Sequence, residues 1–171
     1  EEWLPALGDL ARDKSTPSFT LELAGPPTPW SDLRLARLLR ASGLATRVSV
    51  RGALPASQRW DFLAGADLVL LASRLENFGL VGLEALAAGA PVLLSRQVGC
   101  AEQLRDCDGA IVAPCVLGDI RSCVRELLRD PADLARRGRE GRAHVESHCS
   151  SARLAECLLE VYDSVARNGH P

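Results

Sequence analysis

The sequence lacks several features that define whole classes of protein. Its 171 residues contain no long block of Lys or Arg, and basic residues are spread along the predicted helices. With a formal net charge of -2 and a pI near 6.0, the chain gives no reason to expect nucleic acid as its main partner. It also contains no internal repeat and no low-complexity segment, which excludes repeat architectures and unstructured tracts.

Long hydrophobic runs are missing as well. The longest apolar stretches are strand-sized and interrupted by Gly, Pro or charge, and no segment resembles a signal peptide or a membrane span. We therefore expect a cytoplasmic protein. The basic segment 136–142 could contact anionic lipid, but its mixture with acids on an amphipathic helix favours a solvated face. Methionine is absent and the chain begins Glu-Glu-Trp inside a predicted helix, so we expect a piece of a longer polypeptide.

Cysteine and histidine give no clear metal or disulfide signature. The six cysteines form no Cys-x-x-Cys pair, and a chain with 47% hydrophobic residues can build a core without disulfides. Reduced, mostly buried thiols are the favoured interpretation. His144 and His148 have helical i, i+4 spacing, but only Cys149 lies nearby as a third ligand, so a solvated helix face is favoured over a metal site.

Strands and helices alternate along most of the chain. Apolar patterns and turn residues predict strands at 18–24, 46–51, 67–72, 91–95 and 109–113. They predict helices at 2–12, 31–43 (with Ser31 as N-cap), 57–65, 79–88, 100–104, 117–129, 131–147 and 150–167. This alternation predicts an α/β fold with a parallel sheet covered on both faces. Ligands bind beyond the carboxyl ends of such strands, where the loops at Gly25, Gly52, Glu76 and 95–99 are expected.

Two acids bracket the most informative segment. Glu76 lies in the loop after the 67–72 strand, and Glu84 lies on the second turn of the following helix. The helix N-terminus between them, at Phe78-Gly79, offers free backbone N–H groups that suit an anion. Because carboxylates accept hydrogen bonds from hydroxyls, the segment predicts a ligand with both hydroxyls and phosphates.

The sequence from Glu76 to Val92 resembles the Glu-x7-Glu signature of retaining GT-B glycosyltransferases (group 1, family 4). The resemblance extends to segments 23–26, 47–52, 66–73 and 109–114. It implies a Rossmann-like sheet that forms the C-terminal half of a GT-B fold, with a helical C-terminal tail. Residues 1–171 would be one donor-binding domain ending in a C-terminal helix at 150–167, with the first strand and the N-terminal acceptor domain lying outside this sequence.

The resemblance implies roles for the motif residues. Glu76 would meet the hydroxyls of the donor sugar near the reacting carbon and is the catalytic candidate. Phe78, Gly79 and Leu80 would present backbone N–H groups to the sugar and diphosphate. Glu84 would hold the ribose hydroxyls. The alternatives are that Glu84 is a solvated helix residue, Glu76 an exposed loop acid and Phe78 a hydrophobic staple.

Three further donor-binding candidates follow from the resemblance. Leu54 would lie near the base, Arg59 near the phosphate or base, and Gly25 would border the donor after the 18–24 strand. Leu54 could instead be a packing residue and Arg59 a surface residue.

The implied function is transfer of a sugar, with retention of configuration, from a UDP-, GDP- or ADP-sugar to an unknown glycan, lipid or small molecule. No cofactor and no metal are expected, because a helix N-terminus offsets diphosphate charge. One alternative is a truncated or degenerate, non-catalytic nucleotide-sugar-binding or protein-interaction module. A GT-B-like sugar-nucleotide epimerase is a third, less favoured, possibility.

The resemblance also implies a missing central strand. The family's first strand lies between the strands that correspond to 18–24 and 67–72, and an Arg and a Lys that follow it grip the diphosphate. Both would lie upstream of Glu1. We therefore expect a gap in the sheet, direct pairing of the two strands, or another chain between them. An unpaired central edge predicts poor stability or self-association.

Overall fold

The computed structural model describes residues 3–26, 32–73, 76–114 and 117–168. Within these ranges the predicted alternation of strands and helices is confirmed, with boundaries that differ by a few residues. Ser31, the predicted N-cap, lies outside the described residues. The strands are β1 (Leu21–Ala24), β2 (Val48–Gly52), β3 (Val69–Leu71), β4 (Val92–Ser95) and β5 (Ala110–Ala113). The helices are α1 (Trp3–Arg12), α2 (Asp32–Ala41), α3 (Ala56–Ala64), α4 (Leu80–Ala88), α5 (Leu117–Arg129), α6 (Pro131–His148) and α7 (Ser151–Asn168), with a 3-10 helix at Gly99–Ala101.

The described strands form two parallel sheets. One sheet has the order β1-β2 and the other β3-β4-β5. Of the three expected arrangements, the structure shows the gap, because β1 and β3 do not pair. The difference between β3 and β4 agrees with this split: every residue of β4 is buried, whereas all three residues of β3 are half-buried.

One hydrophobic cluster spans the gap. Leu7 and Leu10 of α1 are buried with Leu93 of β4, and the partly buried Leu21 of β1 and Leu70 of β3 pack against the same cluster. The two sheets therefore share a single layer of helices, since α2 and α5 contribute to the same cluster. Each fully buried Leu in it stabilises the fold by about 1.5–3 kcal/mol. This packing connects the two sheets without hydrogen bonds between β1 and β3.

The opposite face of the larger sheet is covered by α4 and α6. Leu86 of α4 is fully buried against Val92 and Leu94 of β4 and against Cys100. Helices therefore cover both faces of the β3-β4-β5 sheet, as the sequence predicts for a parallel sheet.

Two glycines bring α6 into direct contact with its neighbours. A Cβ at Gly138 would collide with the carbonyl of Gly89, the residue that ends α4, and a Cβ at Gly141 would collide with the side chain of Leu86. The absence of a side chain at these positions lets the backbone of α6 approach α4 closely. The helix starts at the Asp130 N-cap, whose carboxylate accepts a hydrogen bond from the amide of Asp133 at 2.9 Å.

The C-terminal helix α7 carries an exposed apolar stripe. Its described side chains, those of residues 151–167, are exposed except for the half-buried Cys157. The Ser150 hydroxyl accepts a hydrogen bond from the amide of Arg153 at 3.2 Å, as expected of an N-cap. Within the described residues, no helix is both long enough and apolar enough to cross a bilayer. The large apolar side chains of the stripe are 45% to 66% exposed: Leu154, Leu158, Leu159, Val161, Tyr162 and Val165.

The unpaired edges of β1 and β3 lead to a prediction about the isolated chain. Strand edges with unpaired N–H and C=O groups favour association with other strands, so we expect the chain to self-associate or to unfold with low stability. Sedimentation velocity and thermal unfolding, each measured over a range of protein concentrations, test this. Cooperative unfolding of a monodisperse monomer at low concentration would contradict the expectation.

Candidate functional site

A backbone hydrogen bond joins the carboxyl ends of β1 and β2. Gly25 follows β1, and its N–H donates a hydrogen bond to the carbonyl of Gly52 at 2.8 Å. Gly52 has a φ of +68°, a left-handed conformation that favours glycine. A Cβ at either glycine would meet nothing within 4 Å, so both border open space. Leu54 follows this turn and is half-buried.

Glu76 lies at the carboxyl edge of the second sheet. Its backbone forms an isolated parallel bridge with Val98, which extends the pairing of β3 and β4 beyond the two strands. The side chain of Ser95, the buried last residue of β4, donates a hydrogen bond to the carbonyl of Ser73. These contacts hold the loop after β3 against the loop after β4. Glu76 itself is half-buried.

A left-handed turn at Gly79 connects this loop to α4. Gly79 has φ +85° and ψ +46° and is the N-cap residue of the helix. It is buried, and a Cβ there would overlap the side chain of Val98. Both the backbone conformation and the packing therefore require glycine at this position.

Cys100 fixes the same turn by two contacts. Its N–H donates to the carbonyl of Phe78 at 2.7 Å, and its thiol lies 3.6 Å from the carbonyl of Gly79. Burial raises the pKa of the Cys100 thiol, so the thiol stays protonated at neutral pH and can donate to that carbonyl. The 98–100 segment thus holds the turn that begins α4.

The first turn of α4 exposes free amides. The N–H of Gly82 donates a hydrogen bond to the carbonyl of Gly79 at 2.8 Å, whereas the amides of Leu80 and Val81 have no acceptor among the described residues. These two side chains are 63% and 45% exposed, and Phe78 beside them is 41% exposed. The positive end of the helix dipole is therefore open to solvent and suited to an anion.

Glu84 is joined to a neighbouring helix. Its Oε1 lies 3.2 Å from Nη2 of Arg59 on α3, and its side chain is 22% exposed against 47% for Arg59. Glu84 is thus partly enclosed and paired with a cation. Glu76, the exposed amides and Glu84 follow one another along a single segment from β3 into α4.

The site residues predicted from the sequence lie in two separate groups in the structure. Glu76, Phe78, Gly79, Leu80 and Glu84 share the β3–α4 segment, and Arg59 is linked to it by the ion pair. The second group, Gly25 and Leu54, lies at the carboxyl edge of the β1–β2 sheet. Among the described residues, no hydrogen bond or ion pair connects the second group to the first.

Sequence reasoning missed the segment that supports the site. Val98, Gly99 and Cys100 contact the 76–79 loop but were not among the predicted site residues. The available signal was the small pair Gly99-Cys100, which directly follows the loop after an apolar strand at the predicted binding edge.

Other reactive groups lie apart from this loop. The rings of His144 and His148 are stacked with centroids 4.3 Å apart, and burial, together with His148, lowers the pKa of His144. The part of the chain that the structure describes contains no group of three His, Cys, Asp or Glu side chains arranged to hold a metal. Its five described cysteines, Cys100, Cys107, Cys123, Cys149 and Cys157, are free thiols.

Comparison with known sequences defines the class of protein. The sequence model of the family described as "Glycosyl transferases group 1" matches residues 3–144, so the chain belongs to the group 1 glycosyltransferases. A glycogen synthase of Mycobacterium tuberculosis is 33% identical over 168 residues, which cover 95% of this chain and 39% of that protein. A D-inositol 3-phosphate glycosyltransferase of Mycolicibacterium smegmatis is 34% identical over 140 residues, 80% of this chain and 32% of that protein. The chain thus spans about two fifths or less of these relatives.

Comparison with solved structures confirms the fold. The sucrose-phosphate synthase of Thermosynechococcus elongatus superposes with a TM-score of 0.78 at 23% identity, covering 98% of this chain and 43% of that one. The Anabaena protein Alr3699/HepE, solved in complex with UDP and glucose, gives a TM-score of 0.78 at 20% identity over 96% of this chain and 44% of that one. The Rossmann-like α/β architecture is therefore that of GT-B glycosyltransferases.

The close approach at Gly99 generates a prediction. A Cβ at this position would collide with the carbonyl of Asn77, so Gly99→Ala should displace the 76–79 loop. We expect a loss of stability of about 1–3 kcal/mol, as for other overpacked sites, measured by chemical denaturation.

Gly65→Ala is the matched control. Gly65 has an ordinary helical φ of -82°, and the nearest atom to an added Cβ lies 3.3 Å away. This variant should change stability much less. Equal stability of Gly99→Ala and the wild type would show that the loop contact is not a constraint.

Proposed function

We propose that this domain binds a nucleotide-diphosphate sugar and that the polypeptide carrying it transfers the sugar to an acceptor with retention of configuration. The observation that carries the proposal is the pair of acids on either side of the free amides of Leu80 and Val81. The two carboxylates can accept hydrogen bonds from hydroxyls of a ligand, and the amides between them can donate hydrogen bonds to its diphosphate. The Anabaena structures with UDP and with UDP-glucose, which share the fold, support the choice of donor.

Each group has a distinct task in this proposal. The start of α4 receives the diphosphate and stabilises the negative charge that grows as the sugar–phosphate bond breaks. Glu84 accepts hydrogen bonds from the ribose hydroxyls, and Glu76 accepts them from the sugar near the reacting carbon. The departing phosphate helps to deprotonate the acceptor on the same face, so the protein mainly positions groups and neutralises charge.

Glu84→Ala tests the ribose assignment. Removing a carboxylate that accepts hydrogen bonds from bound hydroxyls should weaken nucleoside diphosphate binding about tenfold to a hundredfold, measured by calorimetry with UDP, GDP and ADP. Glu146→Ala is the matched control, because Glu146 also forms an exposed ion pair, with Arg142 at 2.8 Å. Unchanged affinity in Glu84→Ala would refute the assignment.

Glu76→Gln separates chemistry from nucleotide binding. The amide keeps the size of the side chain but removes its charge, so we expect sugar transfer to fall by about a hundredfold or more while UDP affinity stays within about twofold. The rate of sugar transfer is measured from the amount of nucleoside diphosphate that is released. Because no metal takes part in this proposal, a chelator should leave the wild-type rate unchanged. Normal transfer by Glu76→Gln would remove Glu76 from the reaction.

A non-catalytic binding module is the second candidate. The unpaired edges of β1 and β3 favour it, because a sheet interrupted at its centre holds the two halves of its binding edge less firmly. This candidate requires nucleotide-sugar binding without turnover. Hydrolysis of a nucleotide sugar by the purified chain would argue against it.

A further inference from the structure

Arg59 and Glu84 connect two helices that are already packed together. Leu63 of α3 and Ala85 of α4 belong to one buried cluster, which fixes the distance between the helix backbones. On this base, Nη2 of Arg59 lies 3.2 Å from Oε1 of Glu84. Each helix follows the carboxyl end of a strand, α3 after β2 and α4 after β3, so the ion pair links the two helices that begin at the edges of the two sheets.

The ion pair is a weak source of stability. Arg59 is 47% exposed and Glu84 22% exposed, and pairs with this degree of exposure contribute little to folding because water competes for both partners. Its effect on the position of Glu84 is more specific. A carboxylate tied to a guanidinium loses rotamer freedom, and this favours acceptance of hydrogen bonds from hydroxyls in one fixed geometry.

We propose that Arg59 is a positioning residue that acts through Glu84 and makes the site selective for ribonucleotides over 2′-deoxyribonucleotides. The inference rests on the proposed function, in which Glu84 accepts hydrogen bonds from the ribose. A site built to bind a hydroxyl rejects the analogue without it, because the polar group of the site is then left unpaired. Arg59 makes that rejection sharper by holding Glu84 in one place. This role differs from direct contact between Arg59 and the base or phosphate.

Calorimetry with matched ribose and deoxyribose ligands tests the proposal. The probes are UDP, GDP and ADP with their 2′-deoxy counterparts, and the proteins are the wild type, Arg59→Gln, Arg59→Lys and Glu84→Gln. The wild type should prefer the ribonucleotide by about tenfold or more. In Arg59→Gln, ribonucleotide affinity should fall about tenfold while 2′-deoxyribonucleotide affinity stays within about twofold. Arg59→Lys should restore part of the preference.

The double variant shows whether Arg59 acts through Glu84. Arg59→Gln combined with Glu84→Gln should bind the ribonucleotide as weakly as Glu84→Gln alone. Arg142→Gln is the matched control, because Arg142 forms a similar exposed ion pair with Glu146 at 2.8 Å, and it should bind both ligands like the wild type. Circular dichroism establishes that each variant is folded.

Two results would overturn the inference alone. Equal losses for ribonucleotide and 2′-deoxyribonucleotide in Arg59→Gln would mean that Arg59 contacts the base or phosphate directly. Tighter ribonucleotide binding in Arg59→Gln would mean that the ion pair competes with the ligand. A wild-type chain that binds none of the three ribonucleotides would overturn the proposed function itself, which is a separate outcome.

Discussion

The candidate site depends on one left-handed turn at Gly79. Glycine adopts the backbone conformation of this turn without strain, whereas other residues do so only with strain. The side chain of Val98 also fills the space that a Cβ at this position would need. Cys100 then ties down the carbonyls on both sides of the turn. Because the turn sets the direction in which α4 begins, it also sets where the free amides point and where Glu84 stands. The loop after β4 thus governs the geometry of a motif that lies entirely between β3 and the end of α4.

Much of the fold can be predicted from local sequence. The apolar runs at 69–71 and 92–95 and the punctuation by Gly65, Gly89 and Pro91 mark the strands and helices, and their alternation leads to a parallel sheet. The motif from Glu76 to Glu84 locates the candidate binding edge, because the loop acid and the helix acid fall on consecutive elements. These features depend on neighbouring residues, which explains why they are visible without any structure.

The remainder depends on contacts between distant segments. The ion pair between Arg59 and Glu84 joins two helices, and nothing in the sequence of either helix indicates the contact. The contact of Val98 with Gly79 depends on the register of β3 against β4. An apolar sequence such as that of β3 is typical of a fully buried parallel strand, whereas its residues are half-buried. The sequence pattern reports hydrophobicity, but burial also depends on which neighbours are present.

The glycine contacts of α6 have a mechanical consequence. Gly138 touches the carbonyl that ends α4, and Gly141 touches Leu86 within α4, so the two helices meet with little flexible side chain between them. Close-packed surfaces of this kind transmit displacement and do not absorb it. A rotation of α4 would therefore displace α6 as well.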